Sequence, residues 1–189
     1  MILLARHGET DDNRPPLRFQ GQRDTPLNDT GRAQARELAE RVADRAQLIA
    51  SLWSSDLSRA RETAEIVGAR IGLEPRLDAR LREGARGDWE GFLFEEIAAA
   101  EPESYAAWRR GGADWRFPGG ESLAQQQERV LEALAEIEMA GPLPALVVCH
   151  GGSIRVALCR DDPRGLDAFH DFEVPNIVLA PFEVAGART

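Results

Sequence analysis

The sequence contains no lysine; all 23 of its basic residues are arginine. That excludes chemistry needing a lysine amine, such as a Schiff base or the phosphate-binding lysine of a P-loop. Cysteine is almost as scarce. Cys149 and Cys159 read as reduced core thiols, not as a disulfide or a redox pair. The histidines are His7, His150 and His170. They show neither His-x-x-x-His nor His-Glu-x-x-His spacing and accompany no cysteine cluster, so no metal and no cofactor are expected. No apolar run approaches ~20 residues, so no membrane span is expected. Positive charge is in deficit, with a net charge of −9. This argues against nucleic acid or an anionic membrane as partner. It leaves room for a small cationic pocket in an acidic body. No leader peptide is recognisable, and the expectation is a cytoplasmic protein whose fold begins at residue 2.

What is present fits one compact domain of 189 residues, 43% hydrophobic and 29% charged. The organising stretch is MILLARHGET. Ile2 to Ala5 form a short apolar run that reads as a buried strand and ends on Arg6, His7 and Gly8. Ligands of open α/β sheets collect just past the carboxyl ends of the strands. A histidine there, backed by an arginine and a glycine, suits a phosphate site holding a nucleophile. A strand-end histidine that caps a carbonyl fits the stretch equally.

Asp11 to Asn28 reads as a long functional loop. Asp29 and Thr30 are candidate caps for a helix to about Ala46, with Ala35, Leu38, Ala39 and Val42 inward. A second strand spans Leu48 to Trp53. Ser54, Ser55 and Asp56 are expected to cap the next helix, whose stripe is Leu57, Ala60, Ala64, Val67 and Ile71 and whose stop is Gly72. Arg59 then sits in a first turn, where a cation opposes the helix dipole unless an anion is held there. An ordinary surface arginine beside Glu62 is the plainer reading of that helix alone. Leu77 to Leu81 reads as extended and leads into Arg82, Glu83 and a glycine-rich turn ending at Gly91. The segment from about 92 to 120 reads as a cap of one or two short helices. Ser122 and Gln125 match a capping box for a helix to about Ala140. Ala145 to Cys149 repeats the opening grammar, ending in His150, Gly151 and Gly152, with a helix from Ser153. Phe172 to Val184 reads as two short edge strands broken by Pro175 and Pro181. The alternation predicts a mainly parallel sheet covered on both faces.

If the sheet is parallel, His7, Ser54–Ser55 (leading to Arg59) and His150 end on one edge. Two imidazoles and two guanidiniums would then converge. Arg6 and Arg59 can bind a phosphate monoester through charge-assisted, bidentate bonds. A neutral His7 nitrogen can attack phosphorus in line. A carboxyl with a raised pKa would protonate the leaving oxygen and then activate water. Glu83 is the first candidate, ahead of Glu9 and Glu90.

These residues resemble the histidine phosphatase superfamily, also called phosphoglycerate mutase-like. The matching stretches are Arg6-His7-Gly8 with Glu9, Thr10 and Asn13; Asp24 to Asn28 with Gly31, Gln34 and Ala35; Ser54 to Ala64; Leu81-Arg82-Glu83 with Gly87 to Gly91; Pro118 to Ser122; and Val147 to Arg155. They stand in the family's order and cover most of the chain. The resemblance implies a three-layer α/β/α, Rossmann-like fold and metal-free catalysis through phosphohistidine. It implies His7 as nucleophile, Glu83 as proton donor, and Arg6, Arg59 and His150 as the phosphate pocket, with Asn13 and Gly151 also on the substrate. It further resembles the short bacterial branch of broad-specificity and α-ribazole phosphatases, so a small phosphorylated metabolite is the expected partner of a monomer or homodimer. Specificity is expected in the cap, where Trp108, Arg109, Arg110, Trp115 and Arg116 are candidates beside a plain hydrophobic cap with solvated arginines. The alternatives are a phosphoglycerate mutase and a non-catalytic binder of phosphoryl ligands or phosphoproteins.

Overall fold

The structure, a computed structural model, describes residues 1–44 and 49–183. Five strands form one sheet: β1 (Ile2–Arg6), β2 (Ser51–Ser54), β3 (Arg76–Leu77), β4 (Ala145–Cys149) and β5 (Leu179–Phe182). Their spatial order is β3-β2-β4-β1-β5. The pairs β1–β4, β4–β2 and β2–β3 are parallel, and only β5 runs antiparallel, against β1. Side chains alternate across the pleat. Ile2, Leu4, Ala145, Val147 and Cys149 enter one core, while Ala5, Leu146 and Val148 enter the other.

The helices α1 (Asp29–Ala43) and α2 (Ser58–Ile71) cover the second face. The first face lies under α5 (Leu123–Ala140) and α6 (Gly151–Cys159). This is the three-layer α/β/α arrangement, with burial of each Leu, Ile or Val contributing roughly 1.5–3 kcal/mol. The segment from 92 to 120 carries α3 (Phe94–Ala100) and α4 (Pro102–Arg110). Its Ile97, Trp108 and Phe117 form an aromatic cluster with Phe19 of the long loop and Trp89 of the glycine-rich turn. Among the described residues no helix is long and apolar enough to cross a membrane.

Several local expectations need correction. The cap of α1 is Asn28, whose side chain accepts from Gly31 N, and the helix ends at Ala43; Ala46 and Leu48 lie outside the described residues. Ser54–Asp56 do not cap α2. Its first amide, Ser58 N, is instead held at 2.7 Å by the Asp24 carboxylate from the long loop, while Asp56 pairs with Arg82. Leu77 to Leu81 divides into the two-residue β3 and a 3-10 turn over Ala79–Leu81. Helix α6 starts at Gly151, two residues earlier than expected. The C-terminal region holds β5 alone among the described residues, with Pro181 inside this edge strand opposite Leu3, and Val184 outside them. The capping box of Ser122 with Gln125 and the left-handed stop at Gly72 are present as read.

The loop after β1 is pressed onto the first turn of α1. A Cβ on Gly8 would collide with the Gly31 carbonyl, and one on Gly31 would collide with the Glu9 backbone. Ordinarily Gly→Ala inside a helix stabilises by roughly 0.5–1 kcal/mol. Here Gly31→Ala is expected to destabilise by about 1–3 kcal/mol, because the clash is with backbone. Urea denaturation checks the sign, and a stabilised variant would disprove the close approach.

Candidate active site

Because β1, β4 and β2 are parallel, their carboxyl ends deliver three groups to one edge. The His7 amide donates to the Cys149 carbonyl at 3.1 Å, and Asn176 Nδ2 donates to the His7 carbonyl at 2.8 Å. The His7 and His150 rings lie 5.1 Å apart between centroids, inclined at 61°. His7 Nδ1 is 2.6 Å from the Gly8 carbonyl oxygen. A carbonyl only accepts, so Nδ1 carries the proton and Nε2 keeps its lone pair. His150 Nε2 is 2.9 Å from Ser55 Oγ, and its buried Nδ1 has no partner.

The two arginines are fixed by backbone oxygens. Arg6 Nη1 donates to the Val174 carbonyl at 2.6 Å. Arg59 donates through Nη1 and Nη2 to the Arg23 and Gly21 carbonyls, at 2.7 and 2.8 Å. The Nε of each guanidinium is buried and unpartnered. Arg59 is fully buried, which rules out the surface-arginine reading. Asn13 accepts from Thr10 N through Oδ1 and has a buried, unpartnered Nδ2.

Glu83 is the most tightly held carboxylate of the candidates. Its Oε1 accepts from Gly84 N (2.8 Å), Gln126 Nε2 (3.0 Å) and Arg86 Nη2 (3.2 Å), and its Oε2 from Gly152 N (2.9 Å). Glu9 and Glu90 serve other ends. Glu9 Oε1 accepts from Asn28, and Glu90 Oε1 braces the backbone amides of Gln22 and Arg86.

Burial dominates the electrostatics. Both histidines are pushed well below their ordinary 6.5, first by desolvation and then by the Arg59 charge, so both are neutral at pH 7. Arg6 and Arg59 fall to about 10, again chiefly through burial, and stay charged. Burial on its own would raise Glu83. The Arg86 charge and the donated hydrogen bonds outweigh it, and the pKa drops to about 2. The expected raised pKa is therefore corrected: Glu83 is ionised in the free protein.

A cavity of about 340 Å³ opens above this edge. Arg6, Asn13, Glu83 and Gly151 line it, while His7, Arg59 and His150 lie buried and are not among its lining residues. Of the cap candidates, Trp108 and Arg109 reach the cavity and Arg110, Trp115 and Arg116 do not. Trp115 packs on Phe117, and Arg116 donates to the Gly120 carbonyl. Sequence reasoning placed Ser54–Ser55 on the shared edge only as the lead into Arg59, and it missed Arg86, Gln126, Asn176 and His170 as neighbours of the site. Arg86 was discoverable, standing three residues after Glu83 in the same turn; the others come from distant elements. Among the described residues no group of three or more His, Cys, Asp or Glu gathers to hold a metal.

Known proteins are similar to this chain in sequence and in fold. A model of the histidine phosphatase superfamily (branch 1) matches residues 2–189. The chain is 42% identical over 165 residues to phosphoglycerate mutase-like protein 4 of Arabidopsis thaliana, covering 86% of this chain and 71% of that protein. It is 40% identical over 162 residues to glucosyl-3-phosphoglycerate phosphatase of Mycobacterium tuberculosis, covering 81% and 71%. The native structure of mycobacterial glucosyl-3-phosphoglycerate phosphatase superposes with a TM-score of 0.83 at 35% identity, over 94% of this chain and 87% of that one.

The neutral histidines make stability pH-dependent. Below pH 6.5 the unfolded chain protonates them and the folded one does not, so the unfolded state binds more protons. Stability is therefore expected to fall as pH drops from 6.5, by up to about 1.4 kcal/mol per pH unit for each ring. Glu83 adds to the loss between 4.5 and about 2, where only the unfolded state binds its proton. Urea titrations at pH 7 and 5 check this, and His150→Gln should flatten the slope.

Proposed function

The chain belongs to the histidine phosphatase superfamily, and on that premise we propose that it is a metal-independent phosphatase of small phosphomonoesters acting through phosphohistidine. The observation that carries the reading is the His7–Gly8 bond. It leaves a neutral Nε2 lone pair on a ring that lies beside His150, in a buried setting whose positive charge comes from Arg6 and Arg59.

The ester phosphate binds against Arg6, Arg59, Asn13 and the first amides of α6 at Gly151, which supply charge and donors to the equatorial oxygens. Its negative charge raises the pKa values of His150 and Glu83. The proton for the leaving group arrives with the ester, whose second pKa lies near ~6, and passes from a phosphate oxygen to the Glu83 carboxylate. His7 Nε2 bonds to phosphorus as the P–O ester bond breaks, and the leaving oxygen takes the proton from the Glu83 carboxyl. In the second step Glu83 accepts a proton from water while the water oxygen attacks phosphorus. The N–P bond breaks, giving inorganic phosphate and a neutral His7.

A second reading, a phosphoglycerate mutase, is favoured by the name of the Arabidopsis relative. It requires the phosphoenzyme to transfer to a second hydroxyl instead of water.

The expected outcome is hydrolysis of p-nitrophenyl phosphate in EDTA, lost by at least about 10³-fold in His7→Ala. Retained activity in that variant ends the assignment. kcat/KM should decline above pH ~6 as the protonated ester disappears. Conversion of 3-phosphoglycerate to 2-phosphoglycerate faster than phosphate release would select the mutase.

A further inference from the structure

Glu83 is held twice, through its carboxylate and through its backbone. The backbone is held by Arg129 of α5, which is not among the residues lining the cavity. All five N–H donors of the Arg129 guanidinium are engaged. Nη1 donates to the carbonyls of Arg80 and Arg82 at 2.6 and 2.7 Å, and Nη2 to the Glu83 carbonyl at 3.0 Å. Nε, at 3.1 Å, and Nη2 donate to the two oxygens of the Glu121 carboxylate. A planar fork matched to three carbonyls and a carboxylate fixes the chain on its approach to Glu83.

Glu121 fixes the chain just beyond. Its Oε1 accepts from Ala85 N at 2.9 Å, and its own amide donates to the Ala85 carbonyl at 3.1 Å. Pro118 and Gly120 extend the contact. Asp88 N donates to the Pro118 carbonyl at 2.8 Å, and a Cβ on Gly120 would strike the Ala85 carbonyl. The stretch from Pro118 to Ser122 is thereby laid against the turn that follows Glu83, and Ser122 caps the helix that carries Arg129. The Arg129 and Glu121 side chains are only 20% and 17% exposed, so water screens their pair less than it screens the exposed pair of Arg70 with Glu40. The backbone is thus gripped at residues 80, 82, 83 and 85, on both sides of one carboxylate.

We propose that Arg129, braced by Glu121, is a positioning residue for proton transfer: it holds the Glu83 backbone where the carboxyl can reach the leaving oxygen. The proposal rests on the phosphatase reading, in which Glu83 delivers that proton. Neither Arg129 nor Glu121 lines the cavity, so both act through Glu83. Displacing a reacting group by about 1 Å can cost on the order of 10²-fold in rate. The cost falls on esters whose leaving oxygen needs the proton, and it spares esters whose leaving group departs as a stable anion.

The test compares two esters that differ in leaving group. Phenyl phosphate needs a proton on its departing oxygen, and p-nitrophenyl phosphate does not. kcat/KM is measured for both, because it covers the steps only through cleavage of the ester bond. In Arg129→Met the value for phenyl phosphate is expected to fall by about 10²-fold or more, and that for p-nitrophenyl phosphate by less than about tenfold. Arg129→Lys, which keeps the charge beside Glu121 and so protects the fold, lacks the planar fork and should show the same split. Equal losses on the two esters overturn the proposal, because a merely structural role lowers both alike. A second readout needs no turnover. The amides of Gly84 and Gly152 donate to the Glu83 carboxylate, and their NMR resonances report its position. Both are expected to shift in Arg129→Lys, and resonances that stay in place also overturn the proposal. Shifted amides in a chain that hydrolyses neither ester refute the phosphatase reading, and leave Arg129 as the residue that places Glu83.

Discussion

Parallel pairing of β1 with β4, and of β4 with β2, is the constraint on which the site depends. It aligns three carboxyl ends, so His7, His150 and Ser55 meet although they are 48 to 143 residues apart by their numbers. The apolar faces of β1 and β4 enforce that pairing, because both strands are buried between two helical layers. A one-residue slip of β1 would exchange its two faces and turn His7 away from His150.

The edge so formed collects like charge, which has to be held by something other than counter-ions. Arg6 and Arg59 hydrogen-bond to the carbonyls of Val174, Gly21 and Arg23, and these fix the guanidiniums without neutralising them. Carboxylates there would compete with a phosphate for the same donors. The one carboxylate retained in the cavity wall, Glu83, is restrained by Arg86, Gln126 and two backbone amides. Keeping both imidazoles neutral is the other consequence of this field. Desolvation and the neighbouring Arg59 withhold protons from them, which leaves each neutral ring a nitrogen lone pair.

The cap follows a different logic. Its aromatic residues close on Phe19 of the long loop, so the loop from residue 11 to 28 is fastened at one end to α2 through Asp24 and Arg59, and at the other to the cap. The buried arginine pair and the cavity wall are thus carried by different parts of the chain: the end of β1 and the first turn of α2 for Arg6 and Arg59, α4 and α6 for Arg109 and Arg155.

The sequence by itself determined the alternation of strands and helices and pointed to a mainly parallel sheet, from which the convergence of Arg6, His7, Arg59 and His150 follows only by inference. Local signals carry these features: apolar runs ending in His-Gly, helical stripes, a capping box at Ser122. What tertiary structure decided is whatever depends on partners distant in the chain. The Asp24 carboxylate, not Ser54–Asp56, meets the start of α2; Arg59 is buried; Arg86 and Gln126 hold Glu83 ionised where a raised pKa was expected. Periodicity encodes which face of an element is apolar. The ionisation of a carboxyl depends on the charges and donors that packing brings within a few ångströms, and no local pattern records those.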